Sequence, residues 1–277
     1  MAKKASKLDN VRIKKMVRKG YAKVAKSGGC CCGSGSANGA RSLSKGIGYT
    51  EKDMDSVPEG ANLGLGCGNP VALASLNPGE TVMDLGSGAG FDSFLAARRV
   101  GKSGKVIGVD MTPEMLEKAR KNAVKGKYCN VEFRLGEIEN LPAGDGTVDA
   151  IISNCVINLA PDKARVFAEA NRVLRKGGRL MVSDIVLTKP LSAKVMNSVR
   201  AYVGCLSGAE MKDKYLETIR KAGFRDVKVL AESVFSLNYM KNDETPSALA
   251  QGPRLTRKDI AGIGESIVSV KVSAVKR

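Results

Sequence analysis

Seven cysteines and no histidine make sulfur the reactive element of this chain. Cys30, Cys31 and Cys32 stand side by side in the Gly/Ser-rich stretch "SGGCCCGSGS". Cys67 lies in "GLGCGNP", Cys155 in "SNCVINL", Cys205 in "YVGCLSGA", and Cys129 just before the run "VEFRL". An odd count does not suit a purely structural pairing scheme, and reduced thiols serve as nucleophiles and as donors to soft ions. A structural zinc site would want a C-x₂-C pair or histidines at fixed spacing, and neither occurs.

A second set of residues suits a nucleoside. "VMDLGSGAGFD" places Gly86, Ser87, Gly88 and Gly90 between a strand-like run and a helix-like run, where glycine allows a sharp turn and close approach of a ligand. Asp110 ends the next strand-like run, and a carboxylate there can accept from both ribose hydroxyls. Phe91 stands where a dinucleotide loop would carry a third glycine, and Asp84 puts negative charge where a pyrophosphate would be repelled. That charge suits a cofactor with a cationic end, which points to S-adenosylmethionine. Met111 follows Asp110. Glu137 and Ile138 in "GEIENLP" offer a polar contact and an apolar wall for an adenine. Asn154 and Cys155 close a fourth strand and are expected beside the reactive methyl.

The elements that must position these groups read as alternating strands and helices. Strands are expected at 81–85, 105–110, 131–135, 148–154 and 179–186, with helices at 91–100, 112–126 and 161–178 between them. Such spacing implies an α/β fold with a doubly wound, mostly parallel sheet. A helix at 212–224 and strands at 226–233 and 266–277 follow, separated by a polar loop at 241–254. Upstream, 10–26 reads as a basic amphipathic helix interrupted at Gly20. Residues 27–48 read as loop, and 57–80 as loop with a short helix from about Val71.

Composition narrows the rest. Net charge is +17, and twelve of the 45 Lys/Arg fall in residues 1–50 against one acid, Asp9. With no Trp and only 4% aromatics, a stacking platform for nucleic acid is missing, so the basic helix is expected to be a solvated face dispensable for turnover. No run of about 18 apolar residues marks a membrane span, and no apolar signal core follows the N-terminus, so a cytoplasmic protein is expected.

The segments "EGANLGLGCGNPVALA", "VMDLGSGAGFDSFLAARRVGKSGKVIGVDMTPEML", "ISNCVINLAPDKARVFAEANRVL" and "GRLMVSDIVL" together resemble the arsenite S-adenosylmethionine methyltransferases. The resemblance implies a Rossmann-like methyltransferase sheet at 51–190, preceded by a basic arm with the cysteine cluster at 1–50. A substrate-covering α+β region follows at 191–277. It implies arsenite and methylarsenite as substrates, with Cys155 and Cys205 coordinating arsenic. Cys67 would be a third ligand or an exchange partner, and a relay thiol would lie among Cys30, Cys31 and Cys32. Cys129 matches nothing in the family and is expected at the surface. Thioredoxin or glutathione is the implied reductant, and a monomer is expected. Trivalent arsenic is thiophilic and attacks through its own lone pair, so no general base is needed and the absence of histidine is no obstacle. The alternative on the same fold is methylation of a quinone-like or other small carbon substrate.

Overall fold

The computed structural model describes residues 7–27, 37–70, 75–191, 206, 208–234 and 266–277. Cys30, Cys31, Cys32 and Cys205, the start of the helix expected from Val71, and the loop expected at 241–254 lie outside the described residues. Helices α1 Lys7–Ser27, α2 Ala37–Gly46 and α3 Glu51–Asp55 precede the first strand. Seven strands, β1 Thr81–Leu85, β2 Lys105–Asp110, β3 Val131–Leu135, β4 Val148–Asn154, β5 Leu174–Leu187, β6 Phe224–Val234 and β7 Ile267–Lys276, form one sheet in the order β3-β2-β1-β4-β5-β7-β6. β1 to β5 are parallel, whereas β7 runs antiparallel between β5 and β6. Parallel neighbours require crossovers, and α4 Phe91–Val100, α5 Pro113–Lys125 and α6 Lys163–Val173 supply them. α7 Lys212–Lys221 leads into β6.

Strand alternation divides the core in two and aims the polar side chains. Met83, Leu85, Ile151, Leu180 and Val182 pack on one face with Phe167 of α6 and Tyr215 of α7. Val82, Ile152 and Met181 pack on the other with Phe91 and Leu95 of α4 and with Tyr49. By the same alternation Asp84 and Asn154 point toward α4 and Tyr49, and Asp184 points toward Tyr215. The order reverses at β1, which pairs with both β2 and β4, so a crevice opens beyond the carboxyl ends of these strands.

Four sequence expectations differ from the structure. Residues 37–46, read as loop, are helix α2, because Ala40 and Ser44 are buried and Arg41 reaches Glu51 and Asp55 at 2.6 and 2.8 Å. Tertiary packing overrides the weak helical propensity of its glycines and serines there. α1 runs through Gly20 without interruption, with Val17, Val24 and Ala25 buried. α6 ends at Val173 rather than at the Gly177-Gly178 pair, since Leu174 already pairs with Val148 as the start of β5. The basic helix α1 is not merely a solvated face: Val17 is fully buried and Lys14 reaches Glu137 and Glu139 at 2.7 and 3.0 Å.

Candidate active site

The crevice at the switch point is roofed by α1, through Lys14, Val17 and Tyr21, and floored by the loop after β1 and the ends of β2 and β4. In that loop Gly86 has a φ of +68° and a Cβ on it would run into Val156, so the tight turn excludes any side chain. Gly88, at φ +53°, faces open space. Both carboxylate oxygens of Asp110 accept from backbone, Oδ2 from Gly88 N at 3.0 Å and Oδ1 from Thr112 N at 2.8 Å. These two bonds fix the carboxylate at the mouth of the loop and leave lone pairs for hydroxyl donors. Burial pushes Asp110 above its ordinary value.

Two further carboxylates lie beneath the loop. Asp84 is 2% exposed and accepts from Ser93 Oγ at 2.6 Å. Burial, then the charge of Asp92, pushes its pKa well up. Asp92 opens α4, accepts from Tyr49 Oη at 2.6 Å and Asn154 Nδ2 at 3.0 Å, and is pushed by burial to about 6. Among the described residues no cationic side chain pairs with either carboxylate. A buried charge without a counter-ion is costly. A cationic ligand end above this floor would relieve that cost, so the residues present fit a sulfonium nucleoside. Ser87 Oγ, buried and without a partner, offers one more polar contact in the same cleft.

The other sequence candidates are placed as follows. Met111, Ile138, Asn154 and Cys155 all line the cleft with Asp84, Gly86, Ser87, Gly88 and Asp110. Gly90, at φ +96°, caps the start of α4. Glu137 does not line it; its carboxylate turns to Lys14, and Glu139 faces the cleft instead. Cys129 is exposed and lines a separate surface hollow with Tyr128 and Lys125.

Beside the cleft the fold brings a second thiol, Cys67, up to Cys155, which lines it. Cys67 is 4% exposed and Cys155 9%, and neither is in a disulfide. Cys67 Sγ, Cys155 Sγ and a carboxylate oxygen of Asp184 lie within 4.8 Å of one another. Cys155 sits at φ +61°, a left-handed backbone that a non-glycine residue rarely adopts. Its N–H donates to Ser183 O at 2.8 Å, which holds the turn at the end of β4. Cys67 is held by a donor and an acceptor: its N–H donates to Asn154 Oδ1 at 3.0 Å, and its carbonyl accepts from Ser269 Oγ of β7 at 2.7 Å. Asp184 accepts from Asn158 Nδ2, Ile185 N and Tyr215 Oη at 2.8, 3.0 and 3.0 Å, and burial pushes it to about 7. Sequence reasoning did not single out Tyr49, Asp92, Asn158, Asp184 or Tyr215. A polar residue inside an apolar strand, as Asp184 is in "MVSDIVL", was the available signal for one of them.

A parallel sheet reversed at β1, extended by an antiparallel β7 and opening over buried carboxylates at the switch point, defines a class I, Rossmann-like methyltransferase. Residues 76–223 match the family model of the methyltransferase domain. The chain is 51% identical over 232 residues to an arsenite methyltransferase of Halobacterium salinarum, covering 80% of this chain and 59% of that one. An arsenic(III) S-adenosylmethionine methyltransferase from Chlamydomonas reinhardtii superposes with a TM-score of 0.62 at 31% identity, covering 86% of this chain and 73% of that one. The chain belongs to the arsenic(III) S-adenosylmethionine methyltransferase family. It spans about three fifths of the length of the Halobacterium relative. A ubiquinone/menaquinone biosynthesis C-methyltransferase of Teredinibacter turnerae is 32% identical over 133 residues, 48% of this chain and 53% of that one.

Proposed function

We propose that the chain transfers a methyl group from S-adenosylmethionine to trivalent arsenic held by Cys67, Cys155 and Cys205. The observation that carries the reading is the approach of Cys67 to Cys155, a thiol that lines the carboxylate-floored cleft. Leu206, which follows Cys205, is buried in the same apolar cluster as both thiols and supports the third ligand. Loading exchanges oxygen for sulfur: each thiol gives its proton to a departing hydroxide of arsenite, which leaves as water.

The bound cofactor supplies an electrophilic methyl on a sulfonium. Asp110 is assigned to the ribose hydroxyls, Met111 and Ile138 to the walls of the adenine site, and Asp84 and Asp92 to the potential facing the cationic end. The thiols hold the arsenic so that its lone pair faces the methyl, and positioning supplies much of the rate of an in-line displacement. Arsenic leaves the step pentavalent. Two thiols that close a disulfide return two electrons to it and release two protons, and a thiol reductant, thioredoxin or glutathione, reopens the bridge. The relay thiol is assigned among Cys30, Cys31 and Cys32. The cytoplasm and a single copy of the chain complete the proposal. No helix among the described residues is long and apolar enough to cross a membrane.

The likeness to the quinone C-methyltransferase favours a second reading, methylation of a small carbon substrate. Incubation with arsenite, a thiol and S-adenosylmethionine, followed by arsenic speciation, decides between them. Methylated arsenicals are expected. Their absence, with cofactor binding intact, transfers the assignment to the carbon substrate.

A further inference from the structure

The arsenic reading leaves Asp184 without a role, yet its carboxylate stands at the thiol pair. It is fully buried, and the groups that donate to it, Asn158, the Ile185 N–H and Tyr215, are all uncharged. Oδ1 takes two of these bonds and Oδ2 one, so Oδ2 keeps a lone pair. Metal-ligating carboxylates are commonly oriented by such outer hydrogen bonds. Two sulfurs and one oxygen converge from three segments into a three-donor set, and a zinc-like ion held by three protein ligands takes water as its fourth.

We propose that Cys67, Cys155 and Asp184 form a binding site for a thiophilic divalent d10 cation, zinc or cadmium, which excludes arsenite from the same thiols. The donors are mixed, and two thiolates select a soft or borderline ion over magnesium or calcium. Binding displaces two thiol protons to solvent and puts positive charge beside a buried carboxylate whose hydrogen-bond donors are all neutral, Lys163 being a cation that acts on it through space. Cys67 Sγ gives up its contact to Ser183 O, at 3.3 Å, in exchange. The soft cation thus acts as an inhibitor that competes with arsenite and not with the nucleoside. Only this competition rests on the arsenic reading; the cation site does not.

The test uses the full chain with Cys30, Cys31, Cys32 and Cys205 changed to serine, so that Cys67 and Cys155 are the paired thiols. Titration with cadmium chloride is followed by the ultraviolet thiolate-to-cadmium band. One equivalent per chain is expected, and adding Cys67→Ser or Cys155→Ser abolishes the band. Asp184→Asn weakens binding by at least about tenfold and Tyr215→Phe by about 10- to 100-fold, the range for outer partners of a ligand. Circular dichroism checks each fold. If Asp184→Asn does not fold, Tyr215→Phe and a cadmium X-ray absorption spectrum with two sulfurs decide. No band, a band that survives either serine change, three sulfurs, or a folded Asp184→Asn with unchanged affinity each overturns the site. In a second chain that keeps Cys205, with only Cys30, Cys31 and Cys32 changed to serine, arsenite is expected to bleach the band. Failure to bleach it overturns the competition, whereas the arsenic reading itself fails separately, by a lack of methylated product in a cation-free assay.

Discussion

The side-chain amide of Asn154 is hydrogen-bonded to the backbone on both sides of the Cys67 sulfur. Its Oδ1 accepts from Cys67 N at 3.0 Å, and its Nδ2 donates to Gly68 O at 2.8 Å. The same Nδ2 lies 3.0 Å from Asp92 Oδ2 and 2.9 Å from Tyr49 Oη. One amide therefore ties the thiol loop to the carboxylate floor of the cofactor cleft. Asn154→Ala should loosen the Cys67 loop and leave buried groups unpaired, at about 1–3 kcal/mol for each orphaned group. The expected outcome is a loss of arsenite affinity of about tenfold or more and a smaller loss of cofactor affinity. Equal losses in two separate titrations would show that Asn154 only supports the fold.

Asp110→Ala removes the acceptor assigned to the ribose. A hydrogen bond to a charged group is worth about 1.5–3 kcal/mol, so cofactor affinity should fall about 10- to 150-fold. Calorimetric titration with S-adenosylmethionine checks this, and an unchanged dissociation constant would remove Asp110 from the cofactor pose.

Local signals made most of the sheet legible. Strand alternation, the glycines between β1 and α4 and the acid closing β2 are short-range patterns, and the five parallel strands stand near where they are expected. What stayed hidden depends on distant packing. α2 is a helix because Ala40 and Ser44 are covered from outside, which a glycine- and serine-rich string does not reveal. In α1 the lysines and arginines outnumber the buried residues Val17, Val24 and Ala25, so charge masked the face that closes the cleft. Asp92 stands next to Phe91, whose position reads in the sequence only as a missing glycine, and nothing local marks the carboxylate itself. The cation site was illegible because zinc-like spacing is a property of one segment, and here three segments meet.

Lys14 and its neighbours on α1 should separate. Lys15, Arg18 and Lys19 are exposed, whereas Lys14 lies against the cleft with Glu137 and Glu139. Reversal of the three exposed residues to Glu should leave turnover within a few-fold. Lys14→Glu puts like charges together at a half-exposed site and should raise KM for the cofactor several-fold with kcat little changed; a screened pair of this kind is worth about 1 kcal/mol. Steady-state kinetics at low and high salt read both, and the Lys14 effect should shrink with salt.

Asp184 sets a pH dependence of stability. The unfolded carboxyl ionises near 3.8, while burial lets the folded one keep its proton to about 7. Between these values the unfolded chain binds fewer protons than the folded chain, so stability falls as pH rises through this window and levels off above it. Asp92, pushed to about 6, adds in the same direction. Asp184→Asn should flatten the part of the slope that extends toward pH 7. Melting temperatures from pH 4 to 8 measure it, and parallel curves for the two proteins would mean that Asp184 is ionised in the folded state.

The cysteines should divide by step. Cys155→Ser replaces a soft donor by a hard hydroxyl of similar size, so packing changes little while arsenic affinity falls steeply. Cys205→Ser should do the same, and both variants should lose methylation of arsenite and of methylarsenite. A monomethyl arsenical carries one As–C bond and can take at most two thiolates. Thiols needed only for the first round, or for reduction, should then be dispensable for its conversion. Serine at all three of Cys30, Cys31 and Cys32 should impair turnover of arsenite and spare that of methylarsenite. Cys67→Ser should follow this pattern, because Cys155 and Cys205 can hold the monomethyl substrate without it. Cys129→Ser, at an exposed thiol remote from the cleft, should match wild type in both assays. Arsenic speciation over time with each substrate reads every variant. If the cluster variant loses methylarsenite turnover as fully as Cys155→Ser does, the relay assignment is wrong. If Cys155→Ser still methylates arsenite, the Cys67–Cys155 pair is not the arsenic site, and the carbon-substrate reading takes its place.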